Sequence, residues 1–570
     1  MTIVDTRSET ELPQTSGPQP SQAQLVVSEL TPSTDLAGIL SSSHHQVIGR
    51  LYVLCALGLS GLGLGLGLLM NLEKVDLDAG LGIFGNTNEL FQVFALYRTT
   101  LIMCGLVPLL LGLATAVIPK QLRTVTVAYP RAAAAAFWTW LIGAITHIVA
   151  TFSYGGLGSL QAGAAREQSV ELTLLSLGVV ALGLLVGSGV ILATLITQRP
   201  AGMDLLQMPA FSWSMMVATT VWLFSLPVLL ANLVISWVDM RGATALRFGT
   251  ADAPFEHVAW AFDVPQVYAW ALPLLGIVAE VLISAHRSRP KLFEPMVFIV
   301  GAFGFLSFGA WAQSFFDSAE PSALDAHVAS NEVVFVVFAL GIAGVVLAFG
   351  SWLAFNVVSA EQRPIISPQF GLAVLSGALL TAAVTVGVLR VAGSAVGVLR
   401  EADSNLWPGF FDAMDDLAGS SLVTGMMNLV VLAGLLAAVA GIFHWAPRLL
   451  GRRLNASLGF LAVVMLGGGA MLYGFTDVLG GFFDQPDRFF VVGSFAVANL
   501  DAVDALGFVE ALNVIGLVGV VAVLGGLALV VLNVVMSLVS PADLDVADDP
   551  SVVDDGDGLT ADMSVDGQER

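Results

Sequence analysis

Long apolar runs separated by short polar loops dominate the pattern of this chain. About twelve runs contain 20 or more mostly apolar residues, and a helix needs about 20 such residues to cross the hydrocarbon core of a bilayer. The pattern therefore predicts an all-α membrane protein with about twelve transmembrane helices. The predicted spans are 47–71, 90–118, 132–156, 170–197, 211–238, 264–285, 293–316, 331–358, 370–393, 419–446, 456–482 and 505–540.

Both ends of the chain differ from this pattern. Residues 1–42 are rich in Ser, Thr, Pro, Gln and Glu, and residues 541–570 are acidic and lack aromatic side chains. Segments of this kind bury too little apolar surface to offset the entropy of folding. We predict a disordered cytoplasmic arm at 1–42, a membrane domain at 43–540, and an acidic, disordered cytoplasmic tail at 541–570.

Composition and charge agree with a membrane protein. The chain is 56% hydrophobic and has a formal net charge of -22, and its mean hydropathy is +0.84. An excess of acidic residues argues against a nucleic-acid partner, so the lipid bilayer is the expected environment.

The short loops differ in charge from one side to the other. Basic loops remain in the cytoplasm, which predicts a multi-pass protein of a prokaryotic cell membrane with both termini cytoplasmic. The basic loops are 119–131, 286–291 and 447–453, whereas 71–80, 317–325 and 400–416 are acidic or mixed.

Ionisable residues inside a membrane are the first functional candidates, because burying them is costly. Arg98, His147, Glu280, Arg390 and Glu510 lie in or near predicted spans. Most are close enough to a span end to extend toward the interface. Among the seven histidines only His147 lies deep enough to bind a buried cofactor, and a single imidazole does not make a metal site.

The segment FGTADAPFEHVAWAFDVPQVYAWALPLLGIVAEVL (248–282) resembles subunit I of the heme-copper oxidases, the cytochrome c oxidase core subunit. In that family an aromatic-polar-His-x-x-Trp segment leads into a His-Pro-Glu-Val-Tyr helix. The segments 43–57, 128–141 and 440–459 resemble the family in the same order. The resemblance covers roughly 43–540 and implies a twelve-helix oxidase subunit I-like bundle that works in a respiratory chain.

The resemblance also implies where hemes and copper would be bound, and none of those six positions carries histidine here. The two low-spin heme ligands correspond to Thr99 and Met427, and the ligand of the second heme corresponds to Gly425. The three copper ligands correspond to Val264, Trp311 and Ala312.

Three proton-path positions of the family also differ. Gln266 stands in place of a glutamate, Ala348 of a lysine and Thr126 of an aspartate, although the family tyrosine is kept as Tyr268. Because Val, Trp, Ala and Gly offer no donor to iron or copper, we expect neither heme nor copper, no oxygen reduction and a repacked centre. Met427 and His147 are the remaining candidate heme ligands.

We therefore predict a non-catalytic paralogue with a degenerate active site, acting as a structural or assembly component of a respiratory membrane complex alongside other membrane subunits. One alternative is a terminal oxidase subunit that still carries heme. The other is a transporter or channel that reuses the bundle, with Gln266, Tyr268, Thr99 and Arg98 lining a polar path.

Overall fold

The computed structural model describes most of the predicted membrane domain. The described residues are 36–76, 81–85, 87–154, 156–157, 164–240, 255, 258–312, 321–402, 420–483, 485 and 506–539. The predicted tail 541–570 and most of the predicted arm 1–42 lie outside them. The described end of that arm contains a short helix, Leu36–Leu40.

Helices make up the regular structure of the described residues. Several spans consist of more than one helical segment, and the labels below follow chain order. The helices are α1 (His45–Glu73), α2 (Thr87–Thr99), α3 (Val107–Gln121), α4 (Pro130–Tyr154), α5 (Ala164–Thr197), α6 (Ala210–Met240), α7 (Gln266–Ala271), α8 (Pro273–Ala285), α9 (Phe293–Ser307), α10 (Pro321–Val358), α11 (Pro368–Ala402), α12 (Leu422–Leu450), α13 (Ala456–Gly481) and α14 (Leu506–Val539).

The twelve predicted apolar runs all correspond to helices. Within the described residues, ten helical stretches are long and apolar enough to cross a membrane, and α8 and α9 are shorter apolar helices. The sixth predicted run is divided between α7 and α8 at Pro273, which has no backbone N–H to donate. The all-α prediction with about twelve spans is confirmed.

The second span changes its helical geometry midway. Between α2 and α3 lies a π-helix, Thr100–Leu106, whose seven residues are all buried. Most π-helical segments are single turns inside α-helices and are frequent at functional sites. This one begins directly after Thr99, so it lies beside a position that the sequence singled out.

Helices α3 and α12 form the centre of the bundle, and α10 lies at its edge. The most apolar windows of Glu89–Gln121 and Leu422–Leu450 are completely buried, whereas only 17% of the window in Val334–Val358 is buried. All three windows have similar hydropathy. Lipid is as apolar as the protein core, so hydropathy does not separate central helices from peripheral ones.

Basic side chains at one end of the bundle hold three spans together. Arg50 Nε donates to the Leu449 carbonyl at 2.7 Å, and Lys120 Nζ donates to the Arg448 carbonyl. Both acceptors belong to the last turn of α12, where the helix dipole favours cations. Gly451 then ends the helix with a φ of 67°.

Candidate functional site

The side chains of Thr99 and His147 are in contact. Thr99 stands at a position predicted to have lost a heme ligand, and His147 is a candidate heme ligand. Thr99 Oγ1 is 2.9 Å from His147 Nε2, and Ser176 Oγ is 3.5 Å from His147 Nδ1. Thr99 is fully buried and His147 is 1% exposed. Thr99 thus faces the third span, and both imidazole nitrogens already face hydroxyl groups.

Tyr97 and Asn428 join the second span to the tenth. The Tyr97 hydroxyl donates to Asn428 Oδ1 at 2.6 Å and is 2.9 Å from the Tyr473 hydroxyl. Since Tyr97 uses its proton on Asn428, Tyr473 is the donor in the second contact. All three side chains are at most 2% exposed.

An ion pair extends this contact to the eleventh and first spans. Asn428 Nδ2 donates to Asp477 Oδ2 at 3.1 Å, and Lys74 Nζ lies 2.9 Å from Asp477 Oδ1. Asn513 Nδ2 donates to the Lys74 carbonyl at 2.9 Å. We name Lys74, Tyr97, Asn428, Tyr473 and Asp477 the buried polar network.

The sequence interpretation did not single out any member of the buried polar network. One signal was available, because Asp477 is a carboxylate inside the predicted span 456–482 and such residues are functional or structural by default. The tyrosines and Asn428 carry no formal charge. Only the structure shows that they meet.

Arg98 is anchored beside the buried polar network. Its Nη2 donates to Thr424 Oγ1 at 2.7 Å, its Nη1 lies 3.2 Å from Asp263 Oδ1, and its guanidinium covers the Phe94 ring at 4.7 Å. These contacts join the second span, the tenth span and the segment before α7. Arg98 therefore has a packing role in this position.

The three residues 425–427 in the tenth span have different surroundings. A Cβ on Gly425 would lie 2.6 Å from the Val478 backbone nitrogen, so this position faces α13. Met426 lines a cavity, and Met427 is completely buried. Gly425 has no space on that face for a larger group.

A cavity of about 170 Å³ lies among α7, α10, α11 and α12. Three residues that the sequence singled out, Val264, Tyr268 and Arg390, line it. Its described lining is Val264, Pro265, Tyr268, Phe335, Phe338, Ala339, Ile342, Val384, Gly387, Arg390, Val391 and Met426.

Trp311 supports one wall of this cavity from behind. Its ring lies 4.9 Å from the Phe335 ring and 5.0 Å from the Phe338 ring. Ala312 follows it in the same short 3₁₀ turn. The large side chain at position 311 thus packs against aromatic rings of α10.

Gln266 is fully buried and connects three elements. Its Oε1 accepts hydrogen bonds from the Gly309 N–H at 2.8 Å and from Ser225 Oγ at 3.1 Å. Its Nε2 has no hydrogen-bond partner among the described residues. The two acceptor contacts fix the orientation of the amide, because the Gly309 N–H can only donate.

The other two predicted proton-path positions lie elsewhere. Ala348 is exposed on α10, and Thr126 lies in the basic loop 119–131, where its carbonyl accepts a hydrogen bond from Thr124 Oγ1 at 3.3 Å. Neither lines the cavity with Tyr268. Within the described ranges there is also no cluster of three His, Cys, Asp or Glu residues that could hold a metal ion.

Comparison with known proteins identifies the class to which this bundle belongs. Residues 47–522 match the model of the family described as cytochrome c and quinol oxidase polypeptide I. The chain belongs to this family.

Individual relatives agree with that assignment. The chain is 26% identical to cytochrome c oxidase subunit 1 of Bacillus subtilis over 413 residues, 70% of this chain and 61% of that protein. It is 24% identical to quinol oxidase subunit 1 of the same organism over 449 residues, 75% and 64% of the two chains. The match thus spans about three fifths of the length of these curated relatives.

A solved structure of a heme-copper terminal oxidase dimer has the same fold. The two chains superpose with a TM-score of 0.65 at 14% sequence identity, over 87% of this chain and 84% of the other. This confirms the predicted oxidase subunit I-like bundle.

Proposed function

We propose that this chain is a non-catalytic member of its family that acts as a structural or assembly component of a respiratory membrane complex. The observation that carries the proposal is the direct contact between the second and tenth spans, where the Tyr97 hydroxyl donates to Asn428 Oδ1 at 2.6 Å. The resemblance assigns the two axial ligands of the low-spin heme to these same spans.

The residues at the low-spin site do not fit a heme. A low-spin heme would need one ligand from the second span and one from the tenth, with room between the two spans. The side chains of Tyr97 and Asn428 on these spans are instead in direct contact. Thr99 faces His147 instead of the tenth span, and a hydroxyl is a weak iron ligand compared with imidazole.

The residues at the second heme and copper site do not fit these groups either. The copper positions carry Val264, Trp311 and Ala312, which offer no donor atom. The cavity beside Val264 measures about 170 Å³, close to the roughly 150 Å³ of an engineered cavity that binds benzene. A porphyrin is several times larger than benzene.

The buried polar network explains how the bundle remains stable without these groups. Empty space in a protein core costs free energy in proportion to its volume. Hydrogen bonds and an ion pair link α1, α2, α12, α13 and α14 across the region between the second and tenth spans. A chain that keeps its fold in this way can present its outer helix faces to other subunits.

The two alternatives have less support. A heme held by His147 would require its ring to leave both Thr99 and Ser176. A polar path through Gln266 and Arg98 would require the Gln266 contacts to Gly309 and Ser225 and the Arg98 contacts to Thr424 and Asp263 to break.

The test is purification of the full chain from its native membrane under mild detergent. We expect a flat reduced-minus-oxidised difference spectrum, less than 0.1 mole of iron or copper per mole of protein as an order-of-magnitude bound, and co-purification of other membrane subunits. Stoichiometric heme would overturn the non-catalytic assignment. A lone chain without subunits would overturn the assembly role.

A further inference from the structure

We propose that the acidic tail, residues 541–570, docks onto the basic end of its own bundle. The basic end is the one at which α12 and α14 finish and α13 begins, and the tail lies outside the described residues. The proposal concerns a surface and a segment that the scaffold function leaves unassigned, and it holds whether or not the chain binds heme.

Contacts between helix ends place several basic loops at this one end. The basic side chains described above join α1 and α3 to the last turn of α12. The Ile365 N–H donates to the Ala285 carbonyl at 2.8 Å, which joins the loop before α11 to the end of α8. A Cβ on Gly459 would lie 2.6 Å from Pro368 Cγ, so the starts of α13 and α11 are also in contact. The basic end therefore includes the loops 122–129, 286–292, 359–367 and 451–455.

Positive charges exceed negative charges among the described residues of the basic end. The acidic residues there are Asp204, Glu280, Glu294 and Glu361. The basic residues that are exposed include Arg123, Arg131, Arg287, Arg289, Lys291 and Arg453. A surface with an excess of one sign of charge attracts a segment of the opposite sign.

The tail has the complementary charge and begins beside this surface. Residues 541–570 contain nine Asp, one Glu and one Arg. Arg452 Nη1 donates to the Ser537 carbonyl in the last turn of α14, so the chain leaves α14 next to the basic loop 447–453. A segment of this length spans about 100 Å when fully extended, whereas packed helices lie about 8–10 Å apart. The tail can therefore reach each loop of the basic end.

Tethering favours the tail over other anions. Because it is joined to α14, its local concentration at the surface is on the order of millimolar. The N-terminal arm 1–42 is tethered to the same end at α1 but contains five acidic residues and one Arg, so its attraction to the surface is weaker. An acidic partner or an anionic lipid has to displace the tail to reach these basic residues.

The test is zero-length cross-linking of the full chain in phosphatidylcholine nanodiscs. A water-soluble carbodiimide joins a carboxylate to an amine, and Lys291 is exposed at the basic end. We expect amide bonds between Lys291 and tail carboxylates at low salt, and at least about fivefold fewer at about 0.5 M salt, where exposed charges are screened. Leu81→Lys places an amine at the opposite end of the bundle, where Leu81 is 53% exposed, and this lysine should not cross-link to the tail.

Charge variants of one loop distinguish docking from chance collision. Arg287→Gln/Arg289→Gln removes two charges near Lys291 and should lower the yield about threefold, the size expected for two exposed ion pairs. Ser288→Gln changes the same loop without removing a charge, so it is the matched control and should leave the yield unchanged. Acetylation of Lys291 by an N-hydroxysuccinimide ester, measured in parallel, corrects for any change in amine reactivity.

A second variant weakens the tail itself and leaves the bundle unaltered. Partial neutralisation should lower cross-linking through the remaining tail carboxylates by a similar factor, because those carboxylates are held by the charge of the whole segment. The triple variant is Asp554→Asn/Asp555→Asn/Asp557→Asn.

Four results would overturn the proposal. The first is a yield that does not respond to salt or to either set of charge variants, or that is equal at Lys291 and at the lysine of Leu81→Lys. The second is loss of the cross-link in nanodiscs that contain phosphatidylglycerol, which would make lipid headgroups the occupant. The third is cross-linking of Lys291 to the arm 1–42 in place of the tail. The fourth is cross-linking between light and heavy isotope-labelled chains, which would make a second copy the occupant. None of these readouts depends on heme, so failure here is distinct from failure of the proposed function.

Discussion

Lys74 Nζ lies 2.9 Å from Asp477 Oδ1, and both side chains are 3% exposed. A buried pair of this kind is costly to break, because the remaining charge has lost its partner and cannot reach water. The pair also orients Asp477 so that its second oxygen accepts from Asn428.

Asp477→Leu should therefore lower the free energy of unfolding by about 3–5 kcal/mol. The double variant Lys74→Met/Asp477→Leu removes both charges and should recover a large part of that loss. Thermal unfolding of the detergent-solubilised chain measures both effects. Glu361→Gln, at an exposed loop position, is the control and should leave the midpoint unchanged. If the single variant is as stable as the control, the pair contributes nothing to the fold.

Tyr97→Phe tests the contact between the second and tenth spans without changing side-chain shape. It removes the donor to Asn428 and the acceptor for Tyr473, which leaves two buried polar groups without that partner. We expect a loss of about 1–3 kcal/mol in unfolding free energy. Tyr129→Phe is the matched control, because Tyr129 is 60% exposed. Equal stability of both variants would contradict the role of the Tyr97 hydroxyl.

Positions 97 and 99 explain where sequence reasoning succeeds and where it stops. The apolar runs predicted the spans, because hydropathy is averaged over about 20 residues and single polar side chains do not disturb it. The same average does not determine the direction in which a single side chain points. Successive residues of a helix turn by about 100°, so Tyr97 and Thr99 point to different neighbours, and only the structure shows that Tyr97 faces the tenth span.

The paired residues Asn428 and Asp477 illustrate a second limit. They are 49 residues apart in sequence and meet because α12 and α13 pack side by side. No local pattern predicts such a contact. The family resemblance predicted that positions 264 and 427 lack a ligand histidine, whereas no sequence pattern predicted the polar side chains that join the second and tenth spans.

Gly425→Ala tests the close approach of α12 and α13. The added Cβ would lie 2.6 Å from the Val478 backbone nitrogen and 2.8 Å from Val478 Cγ2, and a backbone atom cannot move aside as a flexible side chain can. We expect a loss of about 1–3 kcal/mol in unfolding free energy from this overpacking.

Gly468→Ala provides the matched control for that variant. Gly468 lies within α13 and has no atom within 4 Å of its Cβ position, so alanine should be neutral or stabilise the helix by up to about 1 kcal/mol. The two variants are compared by thermal unfolding in the same detergent. Gly425→Ala at or above the stability of Gly468→Ala would mean that space for a larger group exists at position 425.

His44 gives the basic end of the bundle a dependence on pH. Burial, together with the positive charges of Arg50 and Lys120, lowers the pKa of His44 below its ordinary value of 6.5. The neutral imidazole is thus favoured in the folded protein, so the stabilisation is fully present above about pH 6.5 and is lost as the pH falls toward the lowered pKa. We expect the midpoint temperature of unfolding to fall as the pH is lowered below 6.5. The slope of this midpoint against pH should be shallower in the His44→Gln variant. An unchanged slope in that variant would show that protonation of His44 is not coupled to folding.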